Sequence, residues 1–227
     1  HVLGNSFLLS LIASVIAMLP VAYIVERFVI RRLYGESLDY AIIATYGVLL
    51  IGTDLIKLIW GTTPYPVNDP IGIAVPLAGL DLPVYRILIV ISAVLLFLAL
   101  RLFFKRSIIG QIVIASLEDS DGVRCLGLDV NRYFSIIFVL GSALAVLGGI
   151  LYAPISTAEP YMGFHILLLA FAVVIVGGMG NINGTFAAAM VLGMIMAVTG
   201  RFWSQAATTM VFVVMALVLI FRPMESD

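Results

Sequence analysis

The sequence predicts an all-α, polytopic transmembrane protein, and three observations lead to this fold class. Hydrophobic residues make up 63% of the 227 residues and charged residues only 11%, whereas a soluble domain is about 45–50% apolar and about 25% charged. The mean hydropathy is +1.18. The apolar residues are also grouped into segments close to the roughly 20 residues that a helix needs to cross the hydrocarbon core. A lipid bilayer is therefore the solvent that accommodates this chain.

About seven hydrophobic segments can be distinguished, and together they predict a single transmembrane domain over residues 1–227. They are Ser6–Val25, Tyr40–Trp60, Arg86–Phe104, Tyr133–Ala153, Ile166–Gly178, Gly184–Thr199 and Ala206–Phe221. The first four are long enough to span. The fifth and sixth are short and adjacent, so they are either two thin spans or a helix pair that enters the membrane and returns. Non-helical backbone at that depth is tolerated only where protein or a water-filled cavity covers it.

The distribution of basic residues predicts the orientation of the chain. With alternate crossings, nine of them fall on one side: Arg27, Arg31, Arg32, Arg101, Lys105, Arg106, Arg124, Arg132 and Arg222. The opposite loops contain only Arg201, with Arg86 at the mouth of a helix. Because cytoplasmic loops carry an excess of Lys and Arg, we expect the C-terminus in the cytoplasm and His1 outside.

Two loops differ in character. The predicted cytoplasmic loop, residues 105–132, is the most polar part of the chain, and spacings of three and four between its apolar residues predict a short amphipathic helix, broken or bent near Gly122. Such a helix suits docking of a soluble partner. The predicted outer loop, Gly61–Pro83, contains five prolines and no Lys or Arg, which favours extended or turn geometry and a stiff lid.

Catalysis and metal binding find little support in the sequence. The net charge is −1, which does not suggest nucleic acid, and the single cysteine, Cys125, excludes an internal disulfide. The two histidines, His1 and His165, are far apart, and no nucleophile–base or zinc motif is present. We therefore expect no enzymatic activity, no metal and no cofactor bound by this chain.

Four polar residues of the second segment are candidates for a translocation path: Thr45, Thr53, Asp54 and Lys57. Asp54 and Lys57 are three residues apart and share a helix face. An intramembrane charge costs at least about 2.5–3.5 kcal/mol at the bilayer centre. Their presence has two interpretations, a polar lining of the path or an internal ion pair in which Lys57 extends outward beside Trp60.

The glycines Gly177, Gly178, Gly180 and Gly184 separate the fifth and sixth segments. They lack the Lys-Ser/Thr that follows a phosphate-binding loop. We interpret them as a tight turn with close helix packing.

Four stretches of the chain together resemble one known family. They are Glu26-Arg27-Phe28-Val29-Ile30-Arg31-Arg32-Leu33-Tyr34-Gly35, Ile42-Ile43-Ala44-Thr45-Tyr46-Gly47, Leu126-Gly127-Leu128-Asp129-Val130-Asn131-Arg132, and Val176–Gly184 followed by Phe221-Arg222-Pro223. In order and over nearly the whole chain they resemble the membrane permease of bacterial ABC importers for branched-chain amino acids, specifically the H-type subunit. Permeases for urea and short-chain amides are close relatives.

The resemblance implies a site and partners. The family docks a coupling helix with a Glu-Ala-Ala-x-x-x-Gly pattern into its ATPase, and the corresponding run here is Asp121–Gly127. The implied coupling residues are Glu118, Asp119, Asp121, Gly122, Arg124 and Gly127. The implied partners are a homologous second permease subunit, two ATP-binding subunits that hold ATP and Mg²⁺, and a periplasmic or lipid-anchored substrate-binding protein. Because the family usually has an amide at Asp54 and an apolar residue at Lys57, the resemblance favours the compensated-pair interpretation.

The resemblance also implies a function and a location. We expect a permease subunit that moves branched-chain amino acids across a bacterial or archaeal plasma membrane. The alternatives are a permease for urea or amides, and a stand-alone ion-coupled carrier with Asp54 as its coupling carboxylate. Family members usually begin with one or two further spans, and no basic region precedes the first apolar run here, so we expect an N-terminally truncated chain.

Overall fold

The computed structural model describes residues 7–36, 38–67, 69–77, 80–178 and 180–221, and these form helices joined by short loops. The α-helices are α1 Phe7–Phe28, α2 Leu38–Trp60, α3 Val84–Arg106, α4 Ile108–Glu118, α5 Ser120–Cys125, α6 Val130–Tyr152, α7 Met162–Gly177, α8 Ile182–Phe202 and α9 Ala207–Phe221. Each of the seven predicted segments coincides with one helix, namely α1, α2, α3, α6, α7, α8 or α9. The predicted polytopic helical fold is therefore confirmed.

Five described helices are long and apolar enough to cross a membrane: α1, α2, α3, α6 and α8. Few of their residues are fully buried within the chain, so their exposed apolar side chains need lipid or other protein around them. The fifth and sixth predicted segments differ in length. Helix α8 has 21 residues, about 31 Å of helix, whereas α7 has 16, about 24 Å. Since the hydrocarbon core is about 30 Å thick, α8 is long enough to span it and α7 is short for a crossing.

Helix contacts divide the chain into two compact units, His1–Pro160 and Tyr161–Asp227. In the first unit, α6 is the central helix and packs against α1 and α4. Tyr85, at the start of α3, is 2% exposed, and its hydroxyl donates to the carbonyl of Leu151 near the end of α6 at 2.8 Å. This carbonyl belongs to the last turn of a helix, where no intrahelical donor is available. The start of α3 therefore lies against the end of α6.

The second unit is a small three-helix bundle. Ala172 of α7, Leu192 of α8 and Val211 of α9 form its buried centre. Six partly buried hydrophobic residues surround them: Leu169, Val173, Val176, Met196, Val214 and Met215. Small or branched side chains at helical spacing bring the three helices together.

The proline-rich loop forms an antiparallel hairpin of two short strands, β1 Ala74–Leu77 and β2 Leu80–Pro83, paired from Ala74–Pro83 to Leu77–Leu80. Pro76 and Pro83 are tolerated because a two-stranded hairpin leaves each strand with a free edge. Upstream, Tyr65 and Ala158 exchange backbone hydrogen bonds of 2.9 and 3.0 Å, which ties the loop to the segment after α6. The extended geometry expected from the prolines is present, together with a hairpin that the sequence analysis did not specify.

Candidate functional site

Two of the sequence stretches singled out above meet at one end of the first unit. Glu26 lies near the end of α1 and Ser135 lies in the second turn of α6, and the Ser135 hydroxyl donates a hydrogen bond to the Glu26 carboxylate. Helix α1 packs along α6 with Glu26 beside Ser135, so the end of α1 and the start of α6 lie at the same end of the unit. Arg31 and Arg132, two of the basic residues predicted to share one side, line one cleft there.

Glu26 is the most buried charged residue of the described chain, at 1% exposure. A buried carboxylate needs hydrogen bonds to be tolerated, and Ser135 provides one. The Ser135 hydroxyl also lies 2.9 Å from the carbonyl of Asn131, so its single proton is shared between two acceptors. The Asn131 Oδ1 atom is buried and accepts no hydrogen bond from the described residues. This end of the α1–α6 contact is therefore polar inside.

Tyr34 completes this polar cluster. Its ring packs edge-on against Phe134, with ring centroids 5.6 Å apart. Burial, and then the negative charge of Glu26, raise the pKa of Tyr34 to about 12 from its usual 10.0. A hydrogen bond with Ser135 and the charge of Arg31 lower the pKa in part. The phenol is therefore neutral at physiological pH and can donate a hydrogen bond within the cluster.

A cleft of about 450 Å³ opens beside this cluster. Its lining combines two carboxylates, two guanidinium groups and apolar surface: Tyr23, Glu26, Arg31, Asp129, Arg132, Ser135, Ile136 and Val139. Asp129 also caps α6, because its Oδ1 accepts from the backbone N–H of Arg132 at 3.3 Å. The charges at the mouth of the cleft are thus held by the ends of two helices.

The polar loop after α3 folds into an arm made of α4 and α5, and it packs against α6. Val113 and Ser116 of α4, Val123 of α5 and Val130 of α6 are buried. At Gly110 a Cβ atom would lie 2.6 Å from the Cα of Phe104, so the sharp corner between α3 and α4 requires glycine. The predicted amphipathic helix is therefore present, as two short helices held firmly against the membrane-spanning ones.

The break between α4 and α5 falls at Asp119, whereas the sequence analysis placed it near Gly122. The reason is an N-cap: the Asp119 side chain accepts a hydrogen bond from the backbone N–H of Gly122 at 2.9 Å. Helix α5 therefore begins at Ser120, and Asp119 is the single residue between the two helices. A Cβ at Gly122 would collide with the Asp119 carboxylate. Gly122 thus lies inside α5, where it leaves room for the cap.

The remaining predicted coupling residues lie on the open face of the arm. Asp121 and Arg124 face each other one turn apart, with Oδ1 and Nη1 3.6 Å apart and both side chains mostly exposed; such a pair contributes about 0–1 kcal/mol. Glu118 is exposed. Gly127 ends α5 with φ +80°, a conformation that glycine adopts without strain. Exposed apolar side chains accompany them: Ile108, Ile114, Leu117 and Leu126.

The polar residues predicted for a path lie on α2. The Nζ of Lys57 and the Oδ1 of Asp54 are 2.9 Å apart, as the compensated-pair interpretation expects. The Lys57 side chain is 24% exposed and that of Asp54 75%. Thr45 donates to the carbonyl of Ala41 at 2.8 Å and Thr53 to that of Leu49 at 2.8 Å. The threonines are thus satisfied within their own helix, and a role of this set in a path stays a prediction.

The glycine turn of the second unit is a close contact between backbones. A Cβ on Gly184 would collide with the carbonyl oxygen of Gly177, and Gly178 and Gly180 have φ +89° and +80°. Asn181 caps α8, with its Oδ1 accepting from the backbone N–H of Gly184 at 3.0 Å. Met179 lies outside the described residues. The geometry agrees with the interpretation as a tight turn.

The importance of Glu26, Tyr34 and Ser135 was not recognised from the sequence. Glu26 and Tyr34 were quoted only as part of a family pattern. One available signal was the position of a carboxylate within an apolar helix.

Two parts of the sequence analysis lie outside the described residues. They are His1, used for the orientation, and the stretch Arg222-Pro223, used for the resemblance. Within the described ranges, no group of three His, Cys, Asp or Glu side chains is placed to hold a metal ion.

Helices of spanning length with unburied apolar surfaces, and charges gathered at the helix ends, define the chain as a multi-pass helical membrane protein. It belongs to the family described as branched-chain amino acid transport system, permease component, whose profile matches residues 2–221.

Three curated relatives illustrate the family. The chain is 28% identical over 219 residues to the high-affinity branched-chain amino acid transport system permease protein BraD of Pseudomonas aeruginosa, covering 93% of this chain and 71% of that protein. It is 31% identical over 128 residues to the permease protein LivH of Escherichia coli, covering 56% of this chain and 42% of that protein. It is 33% identical over 129 residues to the ribose import permease protein RbsC of Escherichia coli, covering 54% and 38% respectively. No solved structure matches the chain.

Proposed function

We propose that this chain is the permease subunit of an ATP-binding-cassette importer that moves branched-chain amino acids across a bacterial or archaeal plasma membrane. In this proposal the chain hydrolyses no ATP itself. Two ATP-binding subunits supply the energy, and a periplasmic or lipid-anchored binding protein delivers the substrate. Membership of the permease family supports a transport subunit, and the names of the Pseudomonas and Escherichia relatives support the substrate class.

The observation that carries the proposal is the helical arm of α4 and α5. A mere connector between α3 and α6 would have no reason to be packed, whereas this arm buries Val113 and Val123 against its surroundings. At the same time it exposes Leu117 and Leu126 beside acidic side chains. A rigid arm with an exposed mixed face can receive a push from a soluble partner and pass it to α3 and α6, because packed helices move as bodies.

The proposed orientation places this arm in the cytoplasm. Arg31, after α1, and Arg132, at the start of α6, line one cleft, and basic residues are favoured on the cytoplasmic side. The C-terminus is then cytoplasmic, and the proline-rich hairpin faces outward, where it would meet the binding protein. We place the translocation path between this subunit and a homologous second permease. In that arrangement Asp54 and Lys57 would face protein rather than lipid.

Transport in proteoliposomes tests the proposal. The complete complex, with its binding protein, is expected to accumulate labelled leucine only when ATP is enclosed with the ATP-binding subunits, and dissipation of the proton gradient is expected to leave uptake unchanged. Uptake that stops with the proton gradient while ATP remains would contradict it. Accumulation of urea or amides, but not of leucine, would contradict the substrate class.

The coupling role of the arm has its own test. Gly127→Ala forces an L-residue into φ > 0, which costs about 1–2 kcal/mol and distorts the end of α5. Asp121→Asn removes an exposed charge from the same face. We expect both to lower ATP hydrolysis stimulated by transport. The matched controls are Gly148→Ala, where a Cβ meets open space, and Glu36→Gln, an exposed acid outside the arm. Unchanged stimulated hydrolysis in the arm variants would contradict the role.

A further inference from the structure

The cleft beside Glu26 has a charge pattern that the proposed transport cycle does not use. Its lining contains two anionic side chains, Glu26 and Asp129, and two cationic ones, Arg31 and Arg132. Among the described residues, salt bridges join Lys57 to Asp54 and Arg124 to Asp121, and none joins the charged residues across the cleft. Opposite charges therefore face one cavity without closing it.

The polarity of the lining changes along the cleft. Arg31, Asp129 and Arg132 lie at the helix ends, whereas Ile136 and Val139 lie one and two turns further along α6. Glu26 and Ser135 lie between these groups, with Glu26 buried and hydrogen-bonded. The cavity thus offers charged partners at its mouth and aliphatic contact deeper in. Its volume of about 450 Å³ lies within the range of about 300–1,000 Å³ that is typical of small-molecule sites.

We propose that this cleft binds a zwitterion that carries an aliphatic chain. An anionic oxygen group of the ligand would pair with Arg31 and Arg132, since guanidinium groups bind carboxylate and phosphate through paired N–H donors. Its ammonium group would donate to Glu26 and Asp129, and its chain would lie against Ile136 and Val139. A ligand with net charge is disfavoured, because it would leave one pair of lining charges without a counterion.

Two sources carry this chemistry: a free aliphatic amino acid and an aminophospholipid headgroup with its acyl chain. The proposal concerns ligand binding and does not depend on transport, so its test uses no ATP. It also differs from a purely structural role for Glu26, because it requires Arg132, whose side chain makes no hydrogen bond or ion pair with α1 among the described residues. Since Asp129 caps α6 through the backbone N–H of Arg132, Arg132→Gln leaves that cap in place.

The permease is purified in its native assembly and exposed to leucine that carries a photoreactive diazirine in its side chain. We expect cross-links to the α6 peptide containing Ile136 and Val139. Leucine should compete, whereas isoamylamine and 4-methylpentanoate, which each lack one charge, should not. In Arg132→Gln and Glu26→Gln, loss of a hydrogen bond to a charged group should reduce labelling about ten- to a hundredfold. Arg106→Gln, an exposed arginine outside the cleft, is the matched control and should label as the parent does.

A parallel arm distinguishes the lipid source. Nanodiscs are prepared with phosphatidylethanolamine, whose ammonium donates hydrogen bonds, or with phosphatidylcholine, whose quaternary nitrogen cannot. Leucine-competed labelling in both lipids supports a free amino acid as the ligand. Retention of phosphatidylethanolamine by the parent and the control, lost in Arg132→Gln, supports the headgroup. The proposal would be overturned if the parent showed neither leucine-competed labelling nor retention of phosphatidylethanolamine. It would also be overturned if Arg132→Gln equalled the parent in both measurements.

Discussion

The stability of a Gly184→Ala variant tests the packing seen in the structure, because helix propensity and packing predict opposite effects of this substitution. Position 184 lies in the first turn of α8, and by propensity alone alanine stabilises a helix by about 0.8–1.0 kcal/mol relative to glycine. In the structure, however, an added Cβ collides with the carbonyl oxygen of Gly177 and lies 3.0 Å from the Nδ2 of Asn181. The obstacles are backbone of α7 and the side chain that caps α8, so neither can turn aside freely.

The expected magnitude follows from these two contacts. Overpacking costs about 1–3 kcal/mol, and a disturbed N-cap adds about 0.5–2 kcal/mol, so the net effect is a destabilisation of about 0.5–4 kcal/mol after the gain in propensity is subtracted. For a chain of this size, each kcal/mol corresponds to about 2–4 °C in Tm. We expect a loss of roughly 1–16 °C on this basis.

Size-exclusion thermostability of the detergent-solubilised protein measures this shift. The matched control is Gly193→Ala in the same helix, where nothing lies within 4 Å of the added Cβ, and its Tm should be unchanged or slightly higher. A Gly184→Ala variant as stable as Gly193→Ala would refute the close backbone contact between α7 and α8.

Three further predictions concern the first unit. Ser135→Ala removes the hydrogen-bond donor of the buried Glu26 carboxylate and should destabilise the folded protein by about 1–3 kcal/mol, measured as a lower Tm. The control Ser142→Ala loses only a hydrogen bond to the Phe138 carbonyl of its own helix and should change the Tm little. Asp119→Ala removes the α5 cap and should destabilise the arm by about 1 kcal/mol, measured as faster hydrogen exchange in α5, and Asp119→Asn should preserve protection. The pKa of Tyr34 is raised to about 12 in the folded state, so its contribution to stability is complete below pH 10 and is lost as the pH rises toward 12. The difference in alkaline absorbance between the parent and Tyr34→Phe should therefore titrate between pH 10 and pH 12. Titration of Tyr34 near pH 10 would contradict its burial.

The membrane-spanning helices could be predicted from the sequence because hydrophobic length is a local property. The amphipathic arm could also be predicted from the spacing of Val113, Ser116 and Val123. Its break was misplaced because glycine was taken as the breaking residue, whereas the Asp119 side chain captures the N–H of Gly122. Capping depends on the conformation of one side chain, which periodicity does not reveal.

The polar cluster could not be predicted from local pattern. Glu26 and Ser135 are 109 residues apart, and only the packing of α1 on α6 brings them together. The pair Asp54 and Lys57 was found because its spacing lies within one helical turn. Contacts within a turn are therefore visible in the sequence, while contacts between helices require the fold.

The sidedness of the arm is the central claim of the proposed function, and Cys125 tests it directly. This residue is the only cysteine of the 227-residue sequence, ends α5 and is exposed. A membrane-impermeant maleimide should modify Cys125 in inside-out vesicles stripped of the ATP-binding subunits, should modify it less when those subunits are present, and should leave it unmodified in intact cells. Modification of Cys125 in intact cells would place the arm outside the cytoplasm and contradict the account.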